Sequence, residues 1–141
     1  MRTREEREAL ISRITNVGFS QHAGLHIREH DIGKVSLALE PKESLQQFMG
    51  YLHAGVITGL ADHAAGAAFA TTLPRSRICV SIELKINFLK PAKGSVVFAE
   101  AVVVSAGRSI GVVKSDVYAE EADEKIHCAT AIVTLRAIDE H

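Results

Sequence analysis

Asp62 is the one acid in a segment built mostly of small and apolar residues, Gln47-Phe48-Met49-Gly50-Tyr51-Leu52-His53-Ala54-Gly55-Val56-Ile57-Thr58-Gly59-Leu60-Ala61-Asp62-His63-Ala64-Ala65-Gly66. A carboxylate isolated in this way is suited to take a proton from water or to attack a carbonyl itself. On a helical wheel of about 100° per residue, Gly55, Gly59, Asp62 and Gly66 fall within an arc of about 60°. Val56, Ile57, Leu60, Ala64, Ala67 and Ala68 cover the opposite side. Each glycine inside a helix costs about 1 kcal/mol relative to alanine, so the bare stripe implies that a backbone or ligand approaches closely there. Burial of an ionised acid is costly without a partner. Either Asp62 serves chemistry or a specific partner, or it bonds neighbouring backbone in a tightly packed helix. His63 points about 100° away from Asp62 around the wheel and is not expected to pair with it.

The same segment offers a second chemical element. The amides of Ala54 and Gly55 lie in the first helical turn, lack intrahelical acceptors and carry the positive end of the helix dipole. Such amides are suited to hold a developing oxyanion. They sit about two turns from Asp62, roughly 10 Å along the axis. One chain cannot close both onto one carbonyl, so the spacing favours a dimer in which amide and acid come from different subunits.

The elements that must position these groups follow from periodicity. Thr3-Arg4-Glu5-Glu6 fits a capping box, and Leu10, Ile11, Ile14 and Val17 continue at helical spacing to Gly18. Two strands are expected over about Ala23–His30 and Lys34–Glu40, joined by a turn at Asp31-Ile32-Gly33. Residues 41 to 52 read as a loop, and Ala54 to about Thr71 as the central helix. After Pro74 the period changes. Val80–Leu89, Ser95–Ser105, Ser109–Glu120 and Lys125–Ala137 are Val- and Ile-rich runs with short connections, which predict antiparallel meander pairing. The class is α+β, one antiparallel sheet with a helix on its face.

This segment and the strand after it resemble the hot-dog-fold acyl-CoA thioesterases, particularly the phenylacetate-pathway (PaaI-like) branch. That branch carries N-x-x-G-x-x-H-G-G with an Asp nine residues after the His. Gln47, Gly50, His53, Ala54 and Gly55 fall on those positions, and Asp62 has the offset. Ser81-Ile82-Glu83-Leu84-Lys85-Ile86-Asn87-Phe88-Leu89-Lys90-Pro91 resembles the family's strand after the helix. The resemblance covers about residues 20 to 137. It implies a long curved antiparallel sheet wrapped around a central helix, and hydrolysis of an acyl-CoA to a carboxylic acid and free CoA. Asp62 is then the general base or nucleophile, and the amides of Ala54 and Gly55 the oxyanion hole. His53 orients the loop or the carbonyl, Gln47 places water or substrate, and Ser81 stands near the nucleophilic water. Arg108, in a turn, is suited to hold CoA phosphates. The resemblance further implies a homo-oligomer, a dimer or dimer of dimers with shared sites, and no cofactor. The alternative on the same fold is a non-catalytic acyl-CoA-binding module.

Three positions depart from simple expectation. Ala54 replaces the first glycine of the Gly pair, which is strained if that position needs a positive φ. Gln47 replaces Asn with a longer arm. Strict alternation puts Ser81 in phase with Glu83, Lys85 and Asn87, opposite to Ile82, Leu84, Ile86 and Phe88. It is expected to face away from that core unless a bulge intervenes or the site lies on that side.

Composition narrows the remaining classes. The 141 residues are 47% hydrophobic and 23% charged, which fits one folded domain over 1–141 rather than a disordered chain. With 16 basic and 17 acidic side chains there is no basic excess for nucleic acid. The longest apolar stretch, Ala54 to Leu73, is interrupted by Asp62 and His63, so no membrane span is expected. The charged start Met1-Arg2-Thr3-Arg4-Glu5-Glu6 does not read as a signal peptide, and a cytoplasmic protein is expected. Cys79 and Cys128 form no CxxC pair and are expected to be reduced. His22, His26 and His30 recur every fourth residue. On a strand that spacing is about 13 Å per step, too wide for one metal ion, and solvent-facing histidines are expected.

Overall fold

The computed structural model describes residues 1–141. The first helix, α1 (Arg4–Thr15), starts as its sequence predicts. The Glu6 N–H donates to the Thr3 hydroxyl, and the Thr3 N–H donates to the Glu6 carboxylate, closing the capping box. Leu10 and Ile11 are buried beneath it.

α1 stops at its C-cap Asn16, short of Gly18, and a second short helix, α2 (Gly18–Ala23), fills the stretch before the expected strand and takes its first residue. Gly24 adopts the left-handed conformation (φ +77°) and ends α2. The first strand, β1, is therefore only His26–Asp31. Six residues of helix are too few to display a period, which is why the sequence did not reveal them. The histidine expectation also changes. His22 lies on α2 and His26 faces Glu40, but His30 is 7% exposed, with Nε2 3.6 Å from Glu8 of α1. The docking of α1 along β1 covers it.

β2 (Lys34–Leu39) follows the tight turn, and α3 (Ala54–Ala70) is the central helix. β3 (Arg77–Phe88), β4 (Val96–Ala106), β5 (Ile110–Glu121) and β6 (Glu124–Asp139) complete one antiparallel sheet. Its order is β1-β2-β4-β5-β6-β3. Only β4-β5-β6 is a meander. β3 does not pair with β4 despite the short Pro91–Gly94 link; it pairs with β6, while β4 pairs with β2. The link crosses three strand spacings, about 14 Å, which a handful of extended residues spans easily.

The sheet curls around α3, whose Leu60, Ala61, Ala64, Ala65, Ala67 and Ala68 are fully buried. Near its C-terminal end the Phe69 ring lies against Gly111 of β5, where a Cβ would stand 2.5 Å from it. Helix and sheet come this close only because Gly111 has no side chain. β3 forms one edge of the sheet and leaves Val80, Ile82 and Phe88 exposed beside an unpaired backbone. A long apolar edge of this kind is a template for another strand. No helix is long and apolar enough to cross a membrane.

Candidate active site

Asp62 lies on the less-buried stripe of α3, facing β3. The pairing of β3 with β6 slips between Ser81 and Glu83, which face the consecutive residues Leu135 and Thr134. Ile82 is the bulged residue, and it reverses the phase of the strand. Cys79 and Ser81 face the helix before the bulge; Leu84 and Ile86 pack toward the core after it. The Ser81 hydroxyl therefore donates to Asp62 Oδ1 at 2.6 Å. Asp62 is bonded to a side chain and not to its own backbone. Its Oδ2 makes no hydrogen bond within the chain.

The pair opens into a hollow of about 310 Å³ whose other walls include Ile14, Ala67, Ile78, Val80 and Leu135. Cys79 borders it and donates to the Gly66 carbonyl at 3.3 Å. Burial, reinforced by the charge of Asp62, pushes its thiol up to about 12. It stays protonated at neutral pH and is no nucleophile.

At the other end of the stripe, His53 is the N-cap of α3 with extended backbone (φ −62°, ψ 138°). The Gly55 N–H donates to His53 Nδ1 at 2.8 Å. This engages one of the two expected oxyanion donors and leaves the imidazole proton on Nε2. The Ala54 N–H makes no hydrogen bond within the chain. Ala54 has no positive φ, so alanine is unstrained where a glycine was expected. It lines a second hollow of about 370 Å³ with Ile57, Phe88, Leu89 and Pro91. Gln47 also borders that hollow, but its side-chain oxygen accepts the N–H groups of Met49 and Tyr51. It shapes the 47–51 turn, and only its NH₂ remains to meet a ligand. Arg108 sits in the β4–β5 turn, its carbonyl held by Arg77 at 2.7 Å, and borders neither hollow.

The two hollows share no residue. Within one chain, acid and free amide do not converge. Ser81 joins Asp62, whereas Gln47, His53 and Ala54 gather at the far end of the same helix.

Two contacts escaped the sequence. The ring of Phe19 on α2 lies over Gly59, where a Cβ would meet its Cε2 at 2.7 Å. The close approach implied by the glycine stripe is partly this ring. His63 Nε2 lies 3.0 Å from Thr15 Oγ1, and its Nδ1 3.3 Å from Ser20 Oγ. The imidazole so ties the end of α1 and α2 to the turn of α3 that carries Asp62. No local signal pairs residues this far apart in the chain.

Burial holds the pKa of His63 below its ordinary 6.5, against the opposing charge of Asp62. The unfolded chain therefore binds this proton more readily. The His63 contribution to stability is present above about pH 6.5 and declines as pH falls through the depressed folded value. His63→Gln should flatten this part of the profile, read as urea midpoints between pH 7.5 and 5. An unchanged slope would show that another group sets it.

The profile of the Thioesterase superfamily matches residues 49–126. A 1,4-dihydroxy-2-naphthoyl-CoA hydrolase from Listeria monocytogenes is 31% identical over 112 residues, 79% of this chain and 89% of that protein. The chain belongs to the thioesterase superfamily. Solved thioesterases agree in shape. A thioesterase family protein from Silicibacter pomeroyi superposes with a TM-score of 0.88 at 30% identity, over 94% of this chain and 99% of that one. A thioesterase from Haemophilus influenzae gives 0.84 at 26% identity, over 100% and 95%. This chain is thus a thioesterase of the hot-dog fold, with the sheet wrapped around α3 as its sequence led one to expect.

Proposed function

We propose that this thioesterase hydrolyses acyl-CoA esters to a carboxylic acid and free CoA, in the manner of the PaaI-like branch, at sites shared between two copies of the chain. The observation that carries this reading is the Ser81–Asp62 pair, 2.6 Å apart and open to an apolar hollow beside an edge strand. Pairing of β3 with the same strand of a second copy would satisfy that edge. It would also let the acid of one subunit meet the helix N-terminus of the other.

Asp62 acts as general base. Its Oδ2 takes a proton from water while the water oxygen attacks the thioester carbonyl carbon. Charge moves onto the carbonyl oxygen, which the Ala54 amide of the second copy stabilises with the dipole of its helix. Collapse of this intermediate breaks the C–S bond. The CoA thiolate leaves and takes up the proton that Asp62 removed from water, which returns the carboxylate to its starting state. Ser81 holds Asp62 by one oxygen and aims the other. His53 fixes the backbone around Ala54, and its Nε2–H remains to meet the substrate. Gln47 supports the loop on the opposite side. Arg108 is assigned to CoA phosphates of a neighbouring subunit, because it lies away from both hollows of its own. A dimer of dimers is the assembly expected.

Thiol release by the purified protein against aliphatic and aryl CoA esters tests the reading. Stoichiometric free CoA and carboxylic acid are expected. Calorimetric binding of esters with no thiol released would assign the chain to the binding-module alternative.

A further inference from the structure

We infer that the N-terminal pair α1–α2 is the specificity wall of this site: Ile14 and Phe19 bound the space that receives the acyl group and restrict it to a compact, uncharged, apolar one. The inference rests on the assignment of Asp62 as the reacting acid.

Two separate contacts carry it. Ile14 of α1 lines the hollow that holds Asp62, together with Ile78 and Val80 of β3, Ala67 and Leu135. Phe19 of α2 covers Gly59, one turn before Asp62 on the same stripe, yet its side chain remains half exposed. Both residues therefore touch the surface along which a substrate must lie to reach Asp62. Neither belongs to residues 49–126, which carry the superfamily profile.

The chemistry of the walls sets the class of acyl group. The hollow has no Lys or Arg in its lining; its one carboxylate is Asp62, and its one imidazole, His63, is engaged by Thr15 and Ser20 and kept from charging by burial. An acyl group ending in a second carboxylate would meet repulsion there with no counter-charge. The part of the space that one chain supplies is about 310 Å³, at the lower end of ligand pockets, roughly 300–1,000 Å³. A short or medium alkyl chain or a single ring fits that description.

The wall is held firmly enough to discriminate. Arg13 pairs with Glu140 of the chain's end at 2.6 Å, Arg75 with Glu6 at 2.7 Å, and His63 joins Thr15 to Ser20. Ile11, next to the buried Leu10 on α1, is fully buried. α1 and α2 are thus fixed against α3 from several directions, and a change in side-chain size at Ile14 is not absorbed by a shift of the helix.

The test is a ladder of acetyl-, butyryl-, hexanoyl-, octanoyl-, benzoyl- and succinyl-CoA, with kcat and KM measured separately. The parent protein should process succinyl-CoA far more slowly than butyryl-CoA. Ile14→Trp fills the hollow and should lower the kcat/KM ratio of the preferred ester to acetyl-CoA by at least about 10-fold, the low end of what a single methylene is worth in an apolar pocket. Phe19→Ala, at a half-exposed position with little risk to folding, should move the optimum toward bulkier groups. A uniform fall for every ester, or an unchanged profile in both variants while thiol is still released, overturns the inference alone. Absence of thiol release from every ester by the parent protein overturns instead the functional reading on which it rests.

Discussion

Asp62→Asn should lower kcat by about 10²–10⁴ while the protein stays folded, because general-base assistance of that size is lost when the acceptor becomes an amide. The substitution keeps the shape of the side chain. Its amide oxygen can still accept from Ser81, so the contact at 2.6 Å has a substitute and the fold is not the casualty. KM should change little, since the proton transfer belongs to the transition state and not to ground-state binding. Comparable turnover of variant and parent across an acyl-CoA panel would remove Asp62 from the mechanism. Single-turnover hydrolysis in heavy-oxygen water separates the two roles open to a carboxylate. Label left on Asp62 after the turnover marks an acyl-enzyme anhydride opened at the Asp62 carboxyl carbon; a general base leaves Asp62 unlabelled and puts the label in the released acid alone.

The second large effect is expected from Ala54→Pro, which deletes one amide hydrogen and little else. Ala54 is the first residue of α3, where proline is well tolerated because its nitrogen needs no helical donor. His53 before it already has the extended conformation that a following proline requires. The helix therefore survives, and the free N–H assigned to the oxyanion disappears. A loss of about 10²–10³ in kcat is expected, the cost of removing one oxyanion donor. A parent-like kcat would mean that the Ala54 amide does not face the reacting carbonyl. The two variants also test the shared site. In a mixed dimer of Asp62→Asn and Ala54→Pro chains, one of the two sites receives an intact acid and an intact amide. Random mixing of the two impaired proteins should then restore about a quarter of parent activity. No recovery after subunit exchange, shown by a tag on one partner, would place acid and amide in the same chain.

Much of this protein is legible in one dimension because the information is local. The Thr3–Glu6 capping box, the extent of α3 and the four long strands after Pro74 are written in spacings of two, three and four residues, the distances over which backbone geometry repeats. The stripe of Gly55, Gly59, Asp62 and Gly66 is equally local, so the candidate acid stands out before any fold is known. Everything that depends on which segments meet was decided by the tertiary structure. Hydrogen-bond ladders between strands read no side chains, so nothing near Arg77–Phe88 states that β6 is its neighbour rather than β4. The bulge at Ile82 exists only against that partner, and it alone turns Ser81 toward Asp62. Likewise, the His53 ring takes up the Gly55 amide, Phe19 settles on Gly59, and α1 closes over His30. A periodic sequence tells each residue which face of its own element it occupies; which other element covers that face is settled by packing the whole chain at once.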